Sequence, residues 1–157
     1  MKGLSHLTKV AGVPGADFII KTGDLATFNP AFGTATVVVA PGNMTGSAQF
    51  KVDGSIACVQ GDEAKVSVPG VAYVSPPFTI PGVGTLTIQT LGSDQLGQKT
   101  SSSQKPVILK GSTFTALFTV SLPAGMPTPS PPPPLDPVPQ YSGTGQFVTT
   151  NVRDKGT

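Results

Sequence analysis

The sequence predicts an all-β chain of short strands and hairpins. Turn formers are dense: Gly occurs 19 times and Pro 17 times in 157 residues. Gly interrupts regular structure by reaching positive φ, Pro by fixing φ and lacking a donor. The apolar residues between these breaks fall in short β-branched or alternating stretches, the pattern of strands with one buried face. Helix formers are scarce, and Glu63 is the one Glu in the chain.

In chain order, residues 1–15 form an N-terminal arm ending in the turn signature Val13-Pro14-Gly15. Residues 17–21 read as a strand closed by Gly23-Asp24. Asn29-Pro30 and Gly33 mark residues 25–34 as a loop, and residues 35–40, rich in Val and Thr, read as a strand. Residues 47–52 and 55–59 form a hairpin about Asp53-Gly54, a two-residue turn pair. Gly61-Asp62 turns again, and residues 64–68 alternate as another strand. Pro69-Gly70 and Pro81-Gly82 read as turns on either side of two short pieces, residues 71–74 and 78–80. Residues 84–91 alternate most cleanly, and residues 93–98 read as one helical turn capped by Ser93 or Asp94. After a flexible tip at residues 101–103 come two strong strands, 106–110 and 113–122, joined by Gly111-Ser112.

The composition then changes. Residues 127–139 contain eight Pro and read as a polyproline II linker of about 40 Å at ~3.1 Å per residue. Residues 140–157 read as a C-terminal strand and tail anchored by Tyr141 and Phe147. Such a strand must pair with the body of its own chain or with a neighbour. The β domain proper is then residues 16–126. On this reading, deleting residues 127–157 leaves the body folded and weakens assembly.

Composition excludes several function classes. One Arg and a formal charge of +2 do not make a nucleic-acid surface, which needs clustered cations to neutralise phosphates. One Cys allows no internal disulfide and no Cys-rich metal site. No apolar run reaches the length of a membrane-spanning helix. The N-terminus lacks the apolar stretch of a secretory signal, so synthesis in the cytoplasm without a signal peptide is the expectation, with delivery outside the cell left to other machinery.

Candidate chemistry is sparse. His6 lies near the chain start and reads as a solvent-exposed side chain. Cys58 occupies an alternating position in a strand and reads as a buried core thiol rather than a nucleophile, with no cation nearby to lower its pKa. The carboxylates Asp24, Asp53, Asp62, Asp94 and Asp136 fall in turns, and Asp62-Glu63 is the one adjacent pair. One His and one Cys cannot furnish a zinc site. The lysines are scattered along the chain, as on solvated strand faces and protected edges. These counts predict no enzyme, no metal and no cofactor.

A faint duplication runs through the first half. Gly23-Asp24 and Gly61-Asp62 each follow an apolar strand and a polar residue, 38 positions apart. Two Gly-Asp turns also arise by chance in a β-rich chain. Read as a repeat, they imply a pseudo-symmetric object suited to a symmetric partner.

Residues 46–63 carry a resemblance. Gly46-Ser47 precedes a strand, Val52-Asp53-Gly54 makes a short hairpin, and Ala57-Cys58-Val59-Gln60-Gly61-Asp62 ends the next strand, with Gly23-Asp24 as an earlier copy. In these positions the chain resembles the PAAR-repeat family, whose members cap the spikes of contractile injection systems such as type VI secretion machines and phage tails. The likeness is densest over about 20 residues and extends in outline over residues 16–124. The Pro-Ala-Ala-Arg sequence itself is absent, and Phe28 stands where a zinc-binding His would be sought, so the family's metal is not carried over. The resemblance implies a compact conical or prism-like β structure, to which the Pro-rich C-terminal arm read from composition is an addition. It implies a structural role at the tip of a trimeric β-helical spike (VgrG-like or a phage spike), transient contact with a target membrane, and attachment of effector cargo. It assigns Gly23, Asp24, Gly46, Ser47, Asp53, Gly54, Gly61 and Asp62 to structural turns. Two other readings stand beside it. A free-standing β-sandwich binding module, an adhesin or carbohydrate binder, also suits short strands, though the chain has no Trp. A small hydrolase is disfavoured by the scarcity of His, Glu and Arg.

Overall fold

A computed structural model describes residues 17–129, 132–151 and 154–156. The N-terminal arm, with His6 and Val13-Pro14-Gly15, lies outside them. Fourteen strands follow in order: β1 (Asp17–Phe18), β2 (Leu25–Phe28), β3 (Ala31–Phe32), β4 (Ala35–Val37), β5 (Gly42–Asn43), β6 (Lys51–Val52), β7 (Ser55–Ile56), β8 (Ser67–Ser75), β9 (Phe78–Thr90), β10 (Leu96–Ser102), β11 (Lys105–Ile108), β12 (Phe114–Leu122), β13 (Gln140–Val148) and β14 (Lys155–Gly156). Eight of them make one antiparallel sheet in the order β3-β4-β8-β9-β12-β13-β2-β5. Strands β2 and β3 are joined only by Asn29-Pro30. The Asn29 N–H donates to Thr144 O of β13 (2.9 Å), and the Val37 N–H of β4 donates to Pro30 O (2.9 Å). One bent strand, β2–β3, therefore bonds to both ends of the ladder and rolls the sheet into a barrel with six walls. It is a single closed sheet, not two facing sheets, so the sandwich architecture does not apply.

The barrel core follows from period-two alternation. Ala26 and Phe28, Phe32, Ala35 and Val37, Val71 and Tyr73, Leu86 and Ile88, Phe114, Ala116 and Phe118, and Tyr141 and Phe147 all point inward and are buried. Burial of each large side chain contributes about 1.5–3 kcal/mol. The aromatic rings pack edge-on or tilted, with Phe28–Phe114 at 5.7 Å, Phe114–Phe147 at 5.1 Å and Tyr73–Phe118 at 5.0 Å between centroids. Strand β13 makes room for them with glycine. A Cβ on Gly143 would lie 2.6 Å from the Phe32 ring, and one on Gly145 would lie 2.5 Å from Phe114.

Several expectations change. The helical turn is confined to Ser93–Gln95 after Gly92, and residues 96–102, including part of the expected flexible tip, are strand β10. Residues 25–34 are two strands, not a loop, because Asn29-Pro30 sits at the bend, where a missing donor costs nothing. Residues 62–65 form a 3-10 turn, and the strand starts only at Ser67. Strand β8 runs through Pro69-Gly70 with a register shift between Val68 and Val71, and β9 runs through Pro81-Gly82. The proline-rich segment is no extended spacer. Its described residues fold back over the far end of the barrel, where Gly125 exchanges two bonds with Ile80 (2.8 and 2.9 Å). The Met126 N–H donates to Pro134 O (2.8 Å), the Asp136 N–H to Ala124 O (2.8 Å) and the Val120 N–H to Pro139 O (2.9 Å). Proline supplies acceptors here and the intervening residues supply donors, so the tract can pair without proline N–H groups.

Asp136 fixes this segment. Its Oδ2 accepts from the hydroxyls of Tyr73 (2.8 Å) and Tyr141 (2.6 Å), and its Oδ1 from the Val138 N–H (3.0 Å). Burial alone raises a carboxyl pKa, but the three donors outweigh it and hold Asp136 below the usual carboxylate range. Burial and the Asp136 charge push Tyr73 up to about 12. Strand β13 then enters the barrel between β12 and β2. Deleting residues 127–157 removes a wall of the barrel, so the body is not expected to survive it, contrary to the sequence reading.

Candidate functional site

Three chain segments cross at the other end of the barrel, and their geometry repeats with threefold regularity. At the centre, the Ile20 N–H donates to Ile108 O (2.9 Å), the Ile108 N–H to Cys58 O (2.9 Å), and the Cys58 N–H to Ile20 O (2.8 Å). One residue out on each side, Lys21 pairs with Ala57, Val59 with Val107, and Ile19 with Leu109. Two residues out, the N–H groups of Thr22, Gln60 and Lys110 donate to Ile56 O, Pro106 O and Phe18 O, each at 2.8 Å. Every link joins the trailing half of one segment to the leading half of the next. This closed cycle is a pseudo-threefold axis.

The equivalence extends outward in both directions. Each segment is preceded by a two-stranded ribbon: β1 with β14, β7 with β6, and β11 with β10. Their registers correspond: Asp17↔Gly156, Ser55↔Val52 and Lys105↔Ser102 at one position, then Phe18↔Lys155, Ile56↔Lys51 and Pro106↔Ser101 at the next. Two ribbons end in two-residue turns with positive φ, Asp53-Gly54 (47°, 84°) and Ser103-Gln104 (52°, 67°), which suit the twist of a hairpin. The third ribbon pairs β1 with β14, which are far apart in sequence, so no short turn joins them. Beyond the crossing, Gly23 (φ 95°), Gly61 (φ 105°) and Gly111 (φ 53°) redirect the segments into β2, β8 and β12, the alternate walls of the barrel.

The central Ile20, Cys58 and Ile108 side chains join the barrel core. Their neighbours Ile19, Ala57, Val59, Val107 and Leu109 join Val52 in a second small core, with Phe50 and Ala48 packed against it. Lys21 occupies the position of Val59 and Leu109 and is nonetheless buried, its Nζ 3.7 Å from Asp24 Oδ1.

Polar residues lock each corner. Asp24 Oδ2 accepts the Lys21 N–H (2.9 Å), and its Oδ1 accepts the Thr150 N–H (3.3 Å). Asp62 Oδ2 accepts the N–H groups of Val59 (2.8 Å) and Ser47 (3.0 Å), and its Oδ1 accepts the Ser47 hydroxyl (2.7 Å). At the third corner the partners change places: Ser112 follows the glycine and donates through N–H (2.9 Å) and hydroxyl (2.7 Å) to Asp94 Oδ2. There the Leu109 N–H finds Gln95 O (2.8 Å) instead of a carboxylate. The structure thus brings together Gly23, Asp24, Gly46, Ser47, Gly61 and Asp62, and places Asp53-Gly54 at a ribbon tip. The sequence reading saw Gly111-Ser112 as a turn and Asp94 as a turn carboxylate but did not assign them, or Ile108, to the site. The one signal for them was Gly111 after an apolar strand.

Gly46 is held closely. A Cβ there would lie 2.3 Å from Ala57 O and 2.4 Å from Ile56 O, and its N–H donates to Thr22 Oγ1 (2.8 Å). Gly46→Ala is expected to lose about 1–3 kcal/mol, read as a lower melting temperature. An unchanged melting temperature would mean that residues 44–48 are not pressed against the crossing.

Burial raises the Asp62 pKa, but donors from Val59, Ser47 and Lys65, together with the Lys65 charge, bring the net value below the usual carboxylate range. Asp136 shifts the same way. A carboxyl depressed in the folded state stabilises above its unfolded pKa and loses that contribution as pH falls through the folded value. Stability is therefore expected to hold from pH 7 to 5 and to fall below about pH 4. Urea titrations across that range check it, and Asp62→Asn should flatten the acid limb.

The site offers little to catalysis. Burial, with the Asp62 and Asp24 charges adding to it, pushes the Cys58 thiol up to about 12, so it is a thiol and not a thiolate. Among the described residues no group of three or more His, Cys, Asp or Glu could hold a metal ion. A cleft of about 350 Å³ beside β2 and β13 is lined by Thr27, Phe28, Asn29, Pro30, Thr113, Thr144, Gly145 and Gln146, none of them ionisable. What the crossing can do is present three similar ribbons about one axis.

The family described as Contractile injection system spike tip protein matches residues 15–157, which span the crossing, the barrel and the closing ribbon. No curated protein matches the chain.

Proposed function

The chain belongs to the contractile injection system spike tip protein family, and on that premise we propose that it caps a trimeric β-helical spike, its own axis lying on the axis of the trimer. The match and the resemblance in residues 46–63 agree on a spike tip. The observation that carries the docking mode is the closed cycle Ile20–Ile108–Cys58 with its three ribbons in matching register. A trimer offers three identical surfaces around one axis. A single asymmetric chain can meet all three alike only if it repeats its own contact surface three times. A β-helical trimer also ends in strands with unpaired N–H and C=O groups, which invite aggregation until covered.

The role is mechanical. Among the described residues the six barrel walls close on one another, the crossing is tied by short backbone bonds, and the corners are locked by carboxylates. Such a body transmits an axial thrust during puncture with little local opening. The test is co-elution of the full chain with the purified trimeric spike in size-exclusion chromatography. A stable complex is expected. Independent migration at micromolar concentrations would contradict the reading.

A further inference from the structure

We infer that the barrel end, not the ribbon end, leads and meets the lipid bilayer of the target. The inference takes its direction from the capping role above. It rests on how the charges divide. All seven described lysines and seven of the eight described carboxylates lie in the ribbons, the crossing or the adjoining turns. The six barrel walls and residues 123–139 carry one ionisable carboxylate, Asp136, which is buried against two tyrosines. Charges scattered in sequence are thus gathered at one pole in space.

The opposite pole is apolar at its rim. Leu122 is 60% exposed, Leu135 57%, Ile80 43% and Val138 38%. Ile80 and Leu135 both pair with Gly125, and Leu122 pairs with Val83, so they share the end where β9 begins and β12 finishes. Strand β12 starts just past the crossing and runs nine residues, which puts this rim about 30 Å from the ribbons. Charged side chains are costly to carry into hydrocarbon, as are unpaired backbone groups. A closed barrel without exposed charge avoids both. Its flanks carry uncharged polar residues such as Thr115, Thr119, Ser142 and Thr144, which suits shallow, passing contact rather than residence. Symmetry assigns the other end to the spike. Residues 123–129 and 132–139 break the threefold pattern at the rim, whereas the three ribbons keep it.

Cys58 is fully buried, so a single introduced thiol can be labelled in the full-length protein. An environment-sensitive dye at Ser121→Cys reports on the rim, and one at Lys105→Cys on a ribbon. With phosphatidylcholine vesicles, emission at 121 should rise at least threefold, be quenched by brominated acyl chains and be unchanged by 1 M salt, while 105 stays constant. Adding Leu122→Asp and Leu135→Asp should reduce the response at 121 about tenfold. A response at 105 alone, a requirement for anionic lipid, or silence at both positions would overturn the inference. The protein labelled at 121, outside the ribbons that dock, separates it from the capping role. Docking on the trimer with no lipid response at 121 sinks only this inference, while a lipid response without docking sinks only the capping role.

Discussion

Ending the chain at Val148 should abolish cooperative folding. The cut removes β14 and with it the third ribbon. Ile19 then loses both backbone partners, the Asp154 O accepting its N–H (3.1 Å) and the Asn151 Nδ2 donating to its O (2.9 Å). Also lost are the bonds from Thr150 to Asp24 (3.3 Å) and from Asp53 to Asp154 Oδ2 (3.0 Å). Each ordinary hydrogen bond contributes about 1 kcal/mol net, and each buried group left unpaired costs about 1–3 kcal/mol. The total rivals the roughly 5–15 kcal/mol that holds a domain folded. Asn151→Ala in the full chain isolates the clasp. It removes the bonds to Ile19 O, to Asp154 O (2.8 Å) and from the Asp154 N–H (2.9 Å) and should cost about 2–4 kcal/mol. Thermal denaturation of both variants checks this. Survival of a sharp transition in the truncated chain, within a few degrees of the parent, would show that two ribbons suffice.

Asp136→Ala should be nearly as damaging, by about 3–5 kcal/mol. It removes the carboxylate that accepts from the Tyr73 and Tyr141 hydroxyls and the anchor of the segment around Asp136, and each buried donor left unsatisfied costs about 1–3 kcal/mol. Asp136→Asn, which keeps one acceptor oxygen, should lose less. Limited proteolysis should place the first cut of the Ala variant within residues 123–139. A parent-like cleavage pattern with parent-like stability would mean that Asp136 is incidental. The Ala variant should also be less sensitive to acid than the parent, since it lacks one of the two depressed carboxyls.

Much of this was legible in the residues, and the failures have physical causes. Asp53-Gly54 declared its hairpin because two consecutive positive φ values favour that pair. Gly23-Asp24 and Gly61-Asp62 declared two corners of the crossing. The third corner was hidden because its carboxylate, Asp94, lies on the approaching chain and its hydroxyl, Ser112, on the turn. The interaction is conserved in space with donor and acceptor exchanged, and no linear pattern shows that. The barrel wall at residues 25–32 was hidden by Pro30, which reads as a break whenever its neighbours' bonds are unknown. Residues 127–139 misled for a similar reason: proline content reveals missing donors, but not that Met126, Asp136 and Val138 supply enough donors to fold the segment back. The division of charge was visible as scattered lysines and became a pole only once the ribbons were assembled.

One chain should meet three spike subunits alike about a shared axis. Cryo-electron microscopy of the full chain bound to its trimeric spike, reconstructed without imposed symmetry, tests it directly. One chain per trimer is expected, with the Ile20–Cys58–Ile108 crossing on the axis and each ribbon over a different subunit. Three chains per trimer, or one chain seated on the flank of a single subunit, would contradict it.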